Sequence, residues 1–276
     1  MNRPDPRRAR LLVLTPTLGD SPWLDEAIES VRRRAAGAAH ALVVPAARVA
    51  ELRARFPDRM VWAEPPAGGL YAALNRGLER AAGWGWRWMT FLGDDDLLLD
   101  GFEFVLAEAD KRTRVGEAAI WRGEVVMIDA AGRRLCEIPS ARAADDIAAL
   151  VAAGYSPFNQ QGMLLSREAV RRAGPFPTEL RICADAAHWL KALEKGAVFH
   201  QRRTVAAAFR VRRGQVSADS TRHQAEFHSL QERAARIHGP RPVWPSVMRF
   251  RLGNMPRYLE RLRRVGFRRG YRLLQP

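Results

Sequence analysis

Between Leu11 and Leu92 the chain alternates short apolar runs with stretches of helical periodicity, four times in succession. Nothing else in it narrows the fold as much. Apolar runs joined by amphipathic helices are the mark of parallel βαβ units, so the alternation predicts a doubly wound α/β sheet. The expected strands are Leu11 to Thr15 (LLVLT), Ala41 to Val44 (ALVV), Met60 to Ala63 (MVWA) and Trp86 to Leu92 (WRWMTFL). Helices are expected from Ser21 to Arg34, with Pro22 just inside the start, from Ala47 to Arg55, and over LYAALNRGLERAA after a PPAGG turn. The fourth strand ends abruptly in GDDD, Gly93 to Asp96.

Past Phe102 the pattern changes. EVVMIDAAGRRLCEI reads as a hairpin turning around Asp129 to Gly132, helices follow at about Ala143 to Ala152, Arg167 to Arg172 and Ala184 to Glu194, and AVFHQRRTVAAAFRV reads as further strands. From Ser217 onward the sequence is helical and amphipathic, broken at GPRPVWP, at Gly253 and at Pro256. These changes divide the chain into a basic N-terminal tail (1–10), an α/β domain (11–215) and a helical, Arg-rich extension (216–276).

A chain of 276 residues, 47% hydrophobic, can bury a substantial core and is not disordered by composition. Cys136 and Cys183 lack any CxxC-type partner and read as core thiols, and the six histidines have no zinc-ligand spacing. The opening MNRPDPRRAR does not look like a signal peptide, and no stretch reaches the roughly 20 apolar residues of a spanning helix, so a cytoplasmic protein is expected. The net charge of +15, carried mostly by arginine, suits phosphates of any kind. Much of it is local, because Pro240 to Pro276 holds ten Arg against the single acid Glu260.

In open α/β sheets ligands bind beyond the carboxyl ends of the strands, where Asp94, Asp95 and Asp96 fall. Three adjacent carboxylates repel one another unless solvent or a cation screens them. Mg²⁺ or Mn²⁺, held by one or two carboxylates plus substrate phosphates, would do so. On its own the cluster reads equally as a helix cap or loop decoration. Upstream, Gly68 and Gly69 open a helix whose free N–H groups can approach a phosphate.

Taken in order, these segments resemble the inverting family-2 glycosyltransferases of the GT-A fold, above all bacterial ones that build cell-surface polysaccharide. The matching pieces are TPTLGD after the first strand, EPPAGGLYAALNRGLERA (similar to E-P-x-x-G-I-Y-x-A-x-N-x-G), FLGDDDLL (similar to F-L-x-x-D-D), SPFNQQGMLLSREAVRRAGPFPTELRICADAAHWLKAL, and FRVRRGQVS, together spanning about Leu11 to Ser217. The resemblance implies a GT-A sheet, a nucleotide-sugar donor, a saccharide or lipid-linked acceptor and a divalent metal, Mn²⁺ or Mg²⁺. It implies that Pro16, Thr17, Glu64, Gly69, Tyr71, Asn75, Asp94 and Asp95 contact the donor. Asp96, with Asp94, would hold the metal, Asp185 would be the catalytic base, and Gln161 and Trp189 would face the acceptor. Chemically this is coherent, since a carboxylate can take the acceptor proton while a Lewis acid stabilises the departing diphosphate.

The sequence departs from the family at the second strand, where an acidic segment that reads the base is replaced by Val44, Pro45 and Ala46. Glu64, at the next strand end, stands as a substitute or a surface residue. Gln160 replaces a frequent His, and His188 a frequent aromatic or Leu. Asp185 alone would also read as a charge favoured by a helix N-terminus. Trp84, Trp86 and Trp88 alternate as on a packed strand. The tail interleaves Arg with Phe, Tyr, Leu, Met and Val, which reads either as an interfacial helix making peripheral contact with the inner face of the membrane or as a helix folded back on the domain. Two other functions compete with transfer. One is a catalytically silent sugar-nucleotide binder. The other is a polyanion or nucleic-acid binder, which has charge in its favour but no recognised motif, so no nucleic-acid partner is expected.

Overall fold

The computed structural model describes residues 5–65, 68–141, 143, 146–157 and 159–266. Residues 1–4 of the basic tail, part of the PPAGG turn (66–67), part of the helix expected from Ala143 (144–145), and 267–276 of the Arg-rich tail lie outside the described residues.

The first half follows the alternation. Strand β1 (Leu11–Pro16) leads to helix α1 (Leu24–Arg34), β2 (Ala39–Val44) to α2 (Val49–Arg55), and β3 (Met60–Ala63) to α3 (Gly69–Arg80), before β4 (Trp88–Phe91). Both faces of β1 and β2 are buried, which is why they read as continuous apolar runs rather than alternating ones. Helix α1 buries Leu24, Ala27, Ile28 and Val31, the i, i+3, i+4, i+7 stripe of a one-sided helix. Helix α3 packs so tightly on β1 that a Cβ on Gly77 would sit 2.8 Å from Leu14 Cδ1.

The remaining elements are β5 (Leu97–Leu98), α4 (Gly101–Arg112), β6 (Ala119–Ile128), β7 (Arg134–Glu137), α5 (Asp146–Ala152), β8 (Met163–Ser166), α6 (Arg167–Ala173), α7 (Ala184–Glu194), β9 (Val198–Arg210), α8 (Ser220–His238), α9 (Trp244–Gly253) and α10 (Met255–Val265). The expected hairpin is β6 and β7, and α7 matches its expected limits. The run AVFHQRRTVAAAFRV is one long strand, β9, whose register against β6 shifts on either side of Glu124. Strands β5 and β8 and helix α4 were not among the expected elements.

One mixed sheet runs β3-β2-β1-β4-β8-β6-β9-β5, with β7 added beside β6. Strands β3, β2, β1 and β4 are parallel, β8 is antiparallel to both β4 and β6, and β9 returns parallel to β6. The change near Gly214 is one of element type, not a break in the core. Phe227, Leu230 and Ala234 of α8 and Phe250 of α9 share an apolar cluster with Leu150 of α5 and Trp189 of α7. No helix among the described residues is long and apolar enough to cross a membrane.

Candidate functional site

β1 lies between β2 and β4, so the chain reverses its winding at the β1–β4 boundary, and the crevice beyond their carboxyl ends is the topological switch point. There Thr17 Oγ1, just past β1, donates to Asp94 Oδ2, just past β4, at 2.5 Å. Thr17 also accepts the N–H of Gly19 at 2.9 Å, and Ser21 Oγ donates to the carbonyl of Asp94 at 3.1 Å. Pro16 closes β1 beneath this contact.

Each acid of the turn has its own partners. Asp95 Oδ2 pairs with Arg212 Nε at 2.6 Å. Asp96 is buried and accepts Gln161 Nε2 at 2.7 Å on one oxygen and the N–H of Arg210 at 2.9 Å on the other. Neither Asp94 nor Asp96 serves as a helix cap, since their acceptors face side chains and a strand. Burial first, and then the charge of Asp95, push Asp96 up to about 8; burial also raises Asp94, against the Thr17 hydrogen bond. The turn owes its tightness to Gly93, where a Cβ would lie 3.0 Å from both Asp95 Oδ1 and Asp96 Oδ2.

Among the described residues no three His, Cys, Asp or Glu side chains converge as a self-sufficient metal site. The turn still suits a hard divalent ion. Mg²⁺ and Mn²⁺ are commonly held by one or two carboxylates and filled out by phosphate oxygens, and at Asp94 and Asp96 burial and the charge of Asp95 both disfavour the bare carboxylate, which a cation would offset.

Asp185 sits in the first turn of α7, where Asp185 Oδ1 accepts the N–H of Ala186 at 2.7 Å. A helix N-terminus lowers a carboxylate pKa. Here burial outweighs that and the hydrogen bonds from Ala186 and the Tyr71 hydroxyl, and the group is pushed up to about 7. The single proton of that hydroxyl is shared with the carbonyl of Ile182, 3.0 Å away. Asn75, one turn further along α3, clasps the backbone of Phe176, giving a bond to its carbonyl at 2.9 Å and taking one from its N–H at 2.8 Å. Tyr71 and Asn75, expected at the donor, thus tie α3 to the segment that presents Asp185. Phe176 stacks on Tyr71 (6.1 Å) and meets Phe91 of β4 edge-on (5.8 Å), so it links the Asp185 group to the strand that carries the acidic turn.

Gln161, expected at the acceptor, instead holds Asp96 through a buried amide. Trp189 is corrected more strongly: it is 1% exposed inside the main apolar cluster, so its ring presents no surface to an acceptor. Gly69 has φ +69° at the start of α3, a conformation that suits glycine. Glu64 donates its N–H to the carbonyl of Val44 at 2.8 Å, which sets it beside the strand end that lacks an acid, and burial raises its pKa. Cys136 and Cys183 are buried free thiols, as expected.

Three residues escaped the sequence reading. Arg210, fully buried, bonds its side chain to the carbonyl of Asp95 at 2.8 Å and to Glu26 at 2.6 Å; with Arg212 it also stands over the Trp23 ring, at 5.4 and 5.6 Å. Both arginines lie in FRVRRGQVS, so the segment was in view though the residues were not singled out. Glu226 of α8 accepts the N–H groups of Arg181, Ile182 and Cys183 at 2.9, 2.8 and 2.9 Å, closing the turn ahead of Asp185. No local signal marks it. Nearby, an open cavity of about 630 Å³ is lined by Gly154, Ser156, His223, Phe227 and His228 among others.

No protein-family model matches the chain, and no curated protein matches it in sequence. Solved structures match in fold. The structure of S. aureus TarS 1-349 in complex with UDP-GlcNAc aligns with TM-score 0.61 and 12% identity, covering 93% of this chain and 80% of that one. TarS 1-349 in complex with UDP gives TM-score 0.58 and 15% identity, covering 82% and 65%. A further TarS chain gives 0.55 and 15%, covering 73% of this chain, which spans only 37% of that one. The chain therefore has the mixed α/β fold, a sheet flanked by helices, of the glycosyltransferase TarS.

Proposed function

We propose that the chain is an inverting glycosyltransferase of the family-2, GT-A type, which moves a sugar from a nucleotide-sugar donor to a hydroxyl of a saccharide or lipid-linked acceptor. The observation that carries this reading is the meeting of Thr17 and Asp94 at the sheet's switch point, with the carboxylates of Asp95 and Asp96 fixed in the same turn. The likeness in fold to TarS structures holding UDP-GlcNAc and UDP makes a uridine diphosphate sugar the first donor to try.

In this reading Thr17 and Glu64 face the nucleoside, Glu64 standing in for the acid that the second strand lacks. Asp94 and Asp96 hold a divalent cation, Mn²⁺ or Mg²⁺, which when bound supplies positive charge to the departing diphosphate. Arg210 and Gln161 fix Asp96 from both sides. Asp185 takes the proton of the acceptor hydroxyl as its oxygen bonds to the anomeric carbon, and the bond from that carbon to the diphosphate oxygen breaks with its electron pair leaving on the nucleotide. One base opposite one leaving group requires in-line attack and inversion. A pKa near 7 suits Asp185 to this task, because a base works best when its pKa lies close to ambient pH.

The test is release of free nucleotide from UDP-, GDP-, dTDP- and CMP-sugars with Mn²⁺, comparing wild type with Asp96→Ala and Asp185→Asn. Both variants are expected to lose turnover, and Asp185→Asn to retain donor-induced thermal stabilisation. Turnover that survives both substitutions overturns the site. Stabilisation by donor without turnover in the wild type establishes the silent binder instead.

A further inference from the structure

Helices α9 and α10 carry six large apolar side chains that the fold leaves outside. Trp244, Met248, Leu252, Met255, Leu259 and Leu262 are 66, 45, 64, 46, 48 and 41% exposed. They are spaced four, four, three, four and three residues apart, so helical periodicity lines up Trp244, Met248 and Leu252 on α9 and Met255, Leu259 and Leu262 on α10. The two helices abut at Asn254, whose N–H bonds to the carbonyl of Phe250 at 3.1 Å as the end of α9 and whose carbonyl takes the N–H of Tyr258 at 3.0 Å as the start of α10.

The opposite face is what holds the pair to the protein. On α9, Ser246 and Phe250 are buried, Phe250 against Tyr155 at 5.4 Å. On α10 the anchors are charged. Arg257 pairs with Glu124 and, at 3.1 Å, with Glu137; Glu260 pairs with Arg134 at 3.1 Å and accepts the N–H of Glu137 at 3.1 Å. Between the helices, the Asn254 amide takes the N–H of Ser140 at 3.1 Å and gives a bond to its carbonyl at 3.0 Å. Helix α10 is strongly amphipathic, yet it turns its polar face to the protein and its apolar stripe away, the reverse of a helix packed for burial. A contiguous apolar patch of this size is rare on a surface that nothing covers.

The flanks of the stripe are basic. Residues 241–266 hold seven Arg and one acid, Glu260, an excess of +6. Arg249, Arg251 and Arg263 are exposed and each adjoins a stripe residue in sequence, which places it about 100° round the helix from the apolar line. Arg249 also pairs with Asp146 at 2.9 Å and Arg251 bonds to the Tyr155 hydroxyl at 2.7 Å, so Arg263 is the flank charge with most to give a lipid phosphate. A second copy seated on this face would set basic flank against basic flank, whereas an anionic lipid surface meets both the charge and the apolar line.

We propose that α9 and α10 form a docking face for an anionic phospholipid surface, with the six apolar side chains entering the boundary between headgroups and acyl chains and the flanking arginines meeting lipid phosphates. This stands independently of the donor chemistry. It joins the two readings of the tail, since the helix is folded onto the domain and still presents its apolar face.

Sedimentation of the full chain with vesicles tests it, comparing phosphatidylglycerol–phosphatidylcholine mixtures with phosphatidylcholine alone. Wild type is expected to bind the anionic vesicles in a salt-sensitive way. The double variant Leu252→Ser/Leu259→Ser should bind at least about tenfold more weakly, and Arg263→Ala about fivefold. All three sites are exposed, so thermal unfolding should not move, which separates lost docking from lost fold. Three results would overturn the proposal. These are no binding to anionic vesicles at low salt, equal binding by the double variant, and a wild-type dimer that the double variant dissolves with no change in vesicle binding.

Discussion

Replacing Glu226 by Gln perturbs the approach to Asp185 from outside the site. One carboxylate oxygen accepts the N–H of Arg181 and the other those of Ile182 and Cys183, all within 2.8 to 2.9 Å. An amide keeps one acceptor oxygen and aims an NH₂ donor at the N–H on the other side, so at least one bond is lost and the rest lose their ionic character. Hydrogen bonds to charged groups contribute about 1.5–3 kcal/mol each, and a carboxylate this accessible to solvent belongs at the low end. The expected loss is about 2 kcal/mol, or about 3 °C in Tm for a chain of this size. It should depend on pH in a definite direction. Burial pushes the Glu226 carboxyl up, but the three N–H bonds outweigh it and hold the folded pKa below the ordinary value. The stability it contributes is therefore present above the unfolded carboxylate pKa and lost as pH falls through the folded one, so wild-type and variant curves should converge in acid. A second readout concerns Asp185, whose pKa the charge of Glu226 helps to raise. Without that charge the acidic limb of the kcat/KM profile should move to lower pH. Urea unfolding and a pH–rate series measure both. Unfolding free energies within about 0.5 kcal/mol at neutral pH, or an acidic limb that moves upward, would refute the reasoning.

Gly101→Ala places a Cβ 2.2 Å from the carbonyl oxygen of Val205, which is backbone of β9 and cannot rotate away, so a loss of about 3 kcal/mol is expected in urea unfolding. A variant as stable as wild type would mean that α4 and β9 are less closely packed than described. Asn75→Ala leaves the N–H and carbonyl of Phe176 without their side-chain partner and should cost about 2 kcal/mol. If it weakens donor binding with no change in stability, Asn75 contacts the donor instead. Asp96→Asn removes a carboxyl whose folded pKa is raised to about 8. Such a group holds its proton longer when folded, so the wild type is most stable below the unfolded carboxylate pKa and loses that contribution as pH climbs toward and through 8. The variant should therefore gain on wild type with rising pH in chelator, and thermal melts across roughly pH 6 to 9 that stay parallel would exclude a buried, strained carboxyl.

The parallel half of the sheet could be read from the chain because burial on both faces leaves β1, β2 and β4 predominantly apolar, with Thr15, His40 and Thr90 the polar exceptions, and the helices between them carry a single stripe. The acidic turn was legible for a related reason: a polar cluster cut abruptly into an apolar strand has few places to go but the strand's open end. Strands β5 and β8 were not legible, since they take their conformation from the strands they pair with and, unlike the equally short β3, stand outside the regular strand–helix alternation. Side-chain assignments divided along the same line. Thr17 and Asp94 could be placed at strand ends from local pattern. Which way Gln161, Tyr71, Asn75 and Trp189 point depends on segments up to 111 residues away, so the sequence did not reveal that the first three also brace the site or that Trp189 fills the core. Arg210 and Glu226 came to notice only through folding, because a charge reveals its purpose by the partner it meets, and their partners lie far off in sequence. The same holds for the tail. Its amphipathic period is written in the residues, but the pairs of Arg257 with Glu124 and Glu137 and of Glu260 with Arg134 are long-range contacts, and such contacts turn the polar face inward and leave the apolar line outside.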